Sequence, residues 1–196
     1  NISEPNQTLT FTTNKTNDCV HVYNLNWGPD PCSPNSNNLA IYCVSGGGWI
    51  DIFVPSDGNK YDFHDVSGCT NYDPKTDVSW KSDFKYLTIG YKCGTIEVYQ
   101  NKFYTDGHFL SKIATFDKFH SKLIQSLQWH PYLSSSSCSK DDPNVEFWLA
   151  TGSKDHIIKV IDLKPLVDII ENQHDQVWFT RNIELSIQKC TNNVSI

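Results

Sequence analysis

The amino-acid sequence predicts an all-β fold built by repeating one strand–turn–strand unit, and three observations carry the prediction. Aromatic residues make up 13% of the chain, with six Trp, and Val, Ile and Thr recur in short runs; branched and ring side chains pack well on a pleated surface. The run LTIGYKCGTIEVY, ending at Tyr99, aligns without a gap on the stretch ending at Ile161 once Gly90 is set on Gly152, and YCVSGGGWIDIF at 42–53 is a looser third copy. Each copy follows a segment of alternating apolar positions that ends in Trp27, Trp80 or Trp129, at spacings of 53 and 49 residues. Self-similarity at such a period marks a repeat architecture.

In chain order, the predicted elements fall into place as follows. TLTFTT at 8–13 reads as an outer strand, and HVYNLNW as the inner strand ending at Trp27. A surface insertion, GPDPCSPNSNN at 28–38, leads to the first strand–turn–strand copy, whose SGGGW permits the positive φ of a tight turn. YDFHDV at 61–66 supplies the next outer strand, and KTDVSW begins the second unit, closed by FLSKIATF at 109–116. LIQSLQW ends at Trp129 and opens the third unit; YLSSSSCSKDDPNVE at 132–146 is a second insertion, and VWFTRNIEL at 177–185 the last outer strand. Within that last strand Trp178 and Phe179 read as one core-facing and one edge-facing residue.

This unit resembles the WD repeat, which gives four strands to each blade of a β-propeller. The resemblance places the Trp-terminated strand nearest the channel, LATGS beside it and IIKVIDL outside. Small Ala150, Thr151 and Gly152 then let blades approach closely, while Ile158 and Val160 alternate with Lys159 so that one strand face is buried. In WD repeats an Asp at the polar turn commonly accepts hydrogen bonds from the neighbouring segment, and Asp155 fits that place, where the other copies have Cys93 and Gly47. His120 stands at the His of the repeat's GH pair, after Phe119 instead of Gly, and the closing WD is Ile161-Asp162. With Trp129 at the end of the inner strand, Asp155 and His120 form the structural blade motif.

The expected layout is the end of a preceding blade over 1–18, blades over 19–68, 69–118 and 119–185, and the start of another over 186–196. About three blades cannot close a ring of four to eight, so the architecture is a partial WD-repeat β-propeller whose open ends meet further blades. The absence of Met and of a secretory leader in the first 20 residues reads the same way, as an internal piece of a longer chain.

Composition removes several function classes. Sixteen basic against 22 acidic residues give a net charge of −6, so no global field draws the chain onto nucleic acid, and Arg181 is the sole Arg, which disfavours Arg-fork recognition. No apolar run approaches the roughly 20 residues of a membrane span. Seven Cys without a CxxC pair argue against a disulfide framework or a zinc site. Four Asn-X-Ser/Thr triplets arise readily in an Asn- and Ser-rich sequence, and a reducing compartment is the expectation. The seven His each occupy an ordinary turn or blade position, and the chain has no G-x-S-x-G elbow, phosphate loop or HExxH, so no catalytic residue, cofactor or metal is assigned.

The order VYNLNWGP, a long Pro/Ser/Asn insertion, LAIYCVSGGG, TDVSWKSDFKYLTIGYKCGTIEVYQ, FHSKLIQSLQWHP and FWLATGSKDHIIKVIDLK resembles, over about residues 20–165, the second propeller of the gem-associated protein five family. Members of that family are WD-repeat subunits of the SMN complex, cytoplasmic and nuclear, that bind precursor small nuclear RNA. The resemblance implies recognition of the uridine-rich Sm-site element and the 7-methylguanosine cap by base stacking with a few cationic contacts, a mode compatible with net negative charge. Its expected partners are small nuclear RNA, SMN-complex proteins and the remaining blades. It also implies one RNA-binding residue here, Lys164, after VIDL; read from the residues alone, Lys164 is a solvated lysine at a strand end. A Tyr that the family places before the next GH has no counterpart, Asn182 standing there. The alternative function is a WD-repeat scaffold that binds only proteins, with loop aromatics such as Tyr61, Tyr72, Phe103 and Tyr104 as anchors.

Overall fold

Each Trp-terminated segment opens its own antiparallel sheet in the computed structural model, which describes residues 22–31, 38–45, 50–54, 59–63, 73–102, 110–131 and 147–171. The first sheet runs β1 (Val22–Pro29), β2 (Leu39–Ser45), β3 (Ile50–Val54) and β4 (Asn59–Phe63) in spatial order. The second repeats that meander with β5 (Lys75–Trp80), β6 (Tyr86–Tyr91), β7 (Ile96–Asn101) and β8 (Leu110–Phe116). The third contains β9 (Ile124–Trp129), β10 (Trp148–Ser153) and β11 (Ile158–Asp162), ordered β11-β10-β9. The fold is all-β, three blades of a WD-repeat β-propeller. The strands expected at 8–13 and 177–185, the SGGGW turn and most of the two insertions lie outside the described residues.

One element departs from the expectation. Lys164, expected just past a strand, is the first residue of a short helix, α1 (Lys164–Glu171). The Asp162 carboxylate accepts the Lys164 amide at 2.9 Å, and Leu166 and Val167 are buried against the core with Ile170 packed beside them. Apolar residues at helical spacing face the third sheet, and Pro165 sits in the first turn, where its missing N–H is harmless. The run is short and rich in β-branched residues, so periodicity alone does not separate it from a strand.

Burial along each strand reports its place in the array. Every residue of β5 and β6 is buried, whereas β10 alternates and much of β1 is exposed. A sheet covered on both faces buries both phases of its two-residue period; a sheet covered on one face buries every second residue. On β6, Leu87 and Ile89 join the cluster shared with Tyr42, Val44 and Ile52 of the first sheet, while Tyr86 joins the cluster shared with Leu127 and Trp129 of the third.

The inner-strand tryptophans knit the sheets together. The Trp80 ring meets Tyr42 edge-on at 5.2 Å, and Trp129 lies 6.4 Å from Tyr86 while its indole N–H donates to the Ser79 carbonyl at 3.2 Å. Each reaches back to the sheet before it. Trp27, first of the series, is 54% exposed beside exposed Val22, Tyr23 and Leu25. At the opposite face Trp148 is 40% exposed, although Tyr86 at the same repeat position is covered by Trp129. Close approach between sheets falls on Gly90, where a Cβ would come within 2.6 Å of Ile124 Cγ2; at Gly152 the nearest atom would be Ser126 Cβ at 3.9 Å.

A buried carboxylate also bridges the second and third sheets. Asp77 on β5 is 1% exposed; one oxygen accepts the Val78 amide at 2.8 Å and the other accepts the Leu127 amide of β9. Burial raises its pKa to about 6, the two amides pulling only partly back toward the usual 3.8. The folded chain therefore takes up a proton near pH 6 that the unfolded chain takes up only near pH 4. The stabilising contribution is fully present below the unfolded value and is lost as pH rises through the folded one. Wild type is expected to gain on Asp77→Asn, on the order of 2–3 kcal/mol, as pH falls from 7 to 4. Urea midpoints of both proteins across that range check it; a gap that narrows or reverses on acidification refutes it.

Candidate nucleic-acid interface

The sheets have two ends, with a different cluster at each. At the turn end, the β6–β7 turn, the β8–β9 connection and the β10–β11 turn converge. His120, fully buried, lies between two acceptor-bearing side chains: its Nδ1 is 2.9 Å from Asp155 Oδ2 and its Nε2 2.8 Å from Thr151 Oγ1. The carboxylate accepts at Nδ1, so that nitrogen carries its proton. Asp155 also accepts the Ser121 amide at 3.0 Å and, through Oδ1, the Ile157 amide at 3.0 Å. Desolvation opposes ionisation of Asp155, but the Ile157 amide, the His120 ring and the Ser121 amide outweigh it and hold the carboxyl down at about 2.

This row of carboxylate, imidazole and hydroxyl has the connectivity of a proton relay, yet its hydroxyl has no access to a substrate. Thr151 is 1% exposed, and its Oγ1 also lies 3.2 Å from the Lys159 carbonyl. A nucleophile must meet a reacting atom at about 3 Å. What the row does is join the loop before β9 to the turn after β10. Trp129, the other motif residue, lies toward the opposite end of β9.

Lys164 is at that opposite, helix end. Its ammonium pairs with Asp168 one helical turn on, at 2.6 Å, and lies 4.9 Å from the centre of the Phe147 ring. Lys81 stands over the same ring, also at 4.9 Å, and pairs with Asp83 at 2.8 Å. The two lysines differ in access: the Lys81 side chain is 3% exposed and that of Lys164 33%. Nearby, the Tyr86 hydroxyl donates to Glu171 at 3.3 Å, tying α1 to the second sheet.

The structure therefore brings Asp155 and His120 into one cluster and sets Lys164 at the far end of the strands. Sequence reasoning missed Lys81, Phe147 and Asp77. Asp77 had no signal: it shares its phase of KTDVSW with Lys75 and Ser79 and so reads as solvent-facing. Lys81 had none either, because a lysine just after a strand reads as solvated.

No family model matches the chain. It is 29% identical over 161 residues to Gem-associated protein 5 of Homo sapiens, an alignment covering 75% of this chain and 10% of that protein. Gem-associated protein 5 of Mus musculus aligns with the same identity and coverage. The chain spans about a tenth of the length of these curated relatives. A matching stretch over three quarters of the residues, on blades each anchored by an inner-strand tryptophan, makes this chain a relative of a portion of Gem-associated protein 5, built as part of a WD-repeat β-propeller.

Proposed function

We propose that the chain is part of an RNA-binding propeller that recognises small nuclear RNA through its uridine-rich Sm-site element and 7-methylguanosine cap. It passes that RNA to the SMN complex for ribonucleoprotein assembly, in the cytoplasm and nucleus. The observation that carries this reading is the relation to Gem-associated protein 5 over three quarters of the chain. The role proposed is binding and not catalysis.

Lys164 suits an RNA contact because its present partner is easily exchanged. A half-exposed i,i+4 ion pair contributes only about 0.3–0.5 kcal/mol, so a phosphate oxygen can take the place of Asp168 at little cost. Lys164→Ala is expected to weaken RNA binding by about threefold to tenfold, the scale of one ordinary hydrogen bond at an exposed site, and to leave thermal stability unchanged. The test is competition between capped and uncapped uridine-rich oligonucleotides for the full-length protein, wild type and Lys164→Ala. Binding of both RNAs by wild type, weakened by the substitution, is the expected result. No RNA binding by wild type even at low salt overturns the reading in favour of a scaffold for proteins, and an unaltered dissociation constant removes Lys164 from the site.

A further inference from the structure

We propose that the turn end of the second and third sheets is a track for the phosphodiester backbone of single-stranded RNA, with Lys118, Lys122 and Lys154 as its cations. The inference rests on the RNA reading above but not on Lys164, which lies at the other end of the strands.

Charge is unevenly shared between the two ends. The connections 92–95, 117–123 and 154–157 carry exposed Lys92, Lys118, Lys122 and Lys154 against Asp117 and Asp155, with Asp73 at their edge. Asp155 is committed to His120 and two backbone amides. Among the described residues, none of these four lysines enters an ion pair. At the helix end Lys81, Lys85, Lys102 and Lys164 face Asp30, Asp83, Asp168 and Glu171, and two of those lysines are paired within their own loop or helix. Among the described residues, an anionic polymer meets an excess of exposed cations at the turn end and not at the helix end, despite a chain charge of −6.

The lysines stand on a braced scaffold. The His120 amide donates to the Gly94 carbonyl at 3.0 Å, the Lys154 amide to Leu123 at 3.0 Å, the Ser153 hydroxyl to Lys122 at 3.1 Å and the Lys118 amide to Thr95 Oγ1 at 3.3 Å. Ordering these turns on binding therefore takes little further entropy. Lys118 and His156, at φ 47° and 68°, are two of the three non-glycine residues with left-handed backbone among the described residues. Gly or Asn adopts that conformation at lower cost, and such outliers point toward functional surfaces.

An open depression of about 550 Å³ lies beside Lys118, lined by Cys93, Phe119 and Ile157 together with Ser121, Lys159 and the mutually bonded His120 and Asp155. The Lys159 ammonium is already occupied by the Phe119 carbonyl and ring. An apolar floor with a hydroxyl and, at one edge, Lys118 fits a nucleotide, base on the floor and phosphate at the Lys118 edge. Lysines act as point charges along a stripe, whereas phosphorylated peptides are typically read by Arg clusters, and this chain has one Arg in all. The surface thus suits RNA better than a phosphopeptide.

The test measures binding of an uncapped uridine-rich oligonucleotide to the full-length protein over a range of salt. It compares wild type with Lys118→Ala/Lys122→Ala/Lys154→Ala and with the corresponding triple Arg protein. Each phosphate contact on a single strand contributes about 0.7 to the slope of log K against log salt, so the Ala protein is expected to lose about 2 from the slope and at least about tenfold in affinity at low salt. The Arg protein keeps both, and thermal melting of all three coincides. A wild-type slope and affinity in a folded Ala protein overturns the proposal while leaving the broader RNA reading intact. Absence of RNA binding by wild type overturns both, and if a poly-glutamate peptide, assayed in the same salt series, loses binding to the Ala protein while RNA binding is retained, the surface is a protein-docking one and the proposal falls.

Discussion

Trp129→Ala is expected to lower the stability of the propeller by about 3–5 kcal/mol, the range for emptying a buried tryptophan site. The side chain is 1% exposed and lies between the second and third sheets, against Tyr86 and within a cluster that includes Leu127, Leu149 and Leu166. Removing it opens a cavity that two rigid sheets cannot fill, because each is held in register by its own ladder. The indole hydrogen bond to Ser79 is a smaller part of the effect, since that carbonyl also accepts from Thr88 Oγ1 at 3.1 Å. Trp129→Phe, which keeps a ring and loses the N–H, is therefore expected to recover more than half of the loss. Urea unfolding followed by far-UV circular dichroism of the full-length protein checks the pair. A loss below about 1 kcal/mol for Trp129→Ala, small on the scale of buried-site changes, refutes the assigned role in the seam.

The same tryptophans show why so much of this fold was legible in the sequence. A blade must present one strand face to each neighbour, so the two-residue period and the spacing of the Trp residues survive even where the motif letters do not. Asp155 was legible through the resemblance to the WD repeat, in which an Asp at the polar turn accepts hydrogen bonds from the neighbouring segment; here it accepts the Ser121 and Ile157 amides. Three kinds of feature were not legible. α1 has too few turns for its period to stand out, and Asp77 depends on the Leu127 amide, fifty residues away in the chain. The basic turn end becomes visible only once three separate turns converge, since Lys92, Lys118 and Lys154 are scattered in an acidic chain. Lys164 shows the converse limit. Sequence placed the residue but not the helix it opens, and Asp168 as its partner follows only from that helix.

Gly94→Ala is expected to cost about 3 kcal/mol or more, from two sources that add at one atom. Gly94 has φ +87°, a conformation in which a side chain is strained on its own account. A Cβ there would also stand 2.0 Å from the His120 carbonyl oxygen, 2.7 Å from its carbon and 2.8 Å from the Lys122 carbonyl oxygen. All three are backbone atoms, so no rotamer relieves the overlap and the β8–β9 connection has to move. Moving it breaks the hydrogen bond from the His120 amide to the Gly94 carbonyl and draws His120 and Ser121 away from Asp155. Hydrogen exchange offers a direct reading: the His120 and Ser121 amides are expected to lose protection in Gly94→Ala, while the Val78 and Leu127 amides held by Asp77 keep theirs. Gly152→Ala is the control, because its nearest atom, Ser126 Cβ, is 3.9 Å away. That substitution is expected to be neutral or to stabilise by about 0.5 kcal/mol through the unfolded chain. Similar losses for the two substitutions would mean that the glycines matter only as strand breakers, and that the turn end is not fastened through Gly94. The RNA prediction is tied to this outcome, since Lys118 and Lys122 flank the displaced connection: Gly94→Ala is expected to flatten the salt dependence of binding even though it removes no charge.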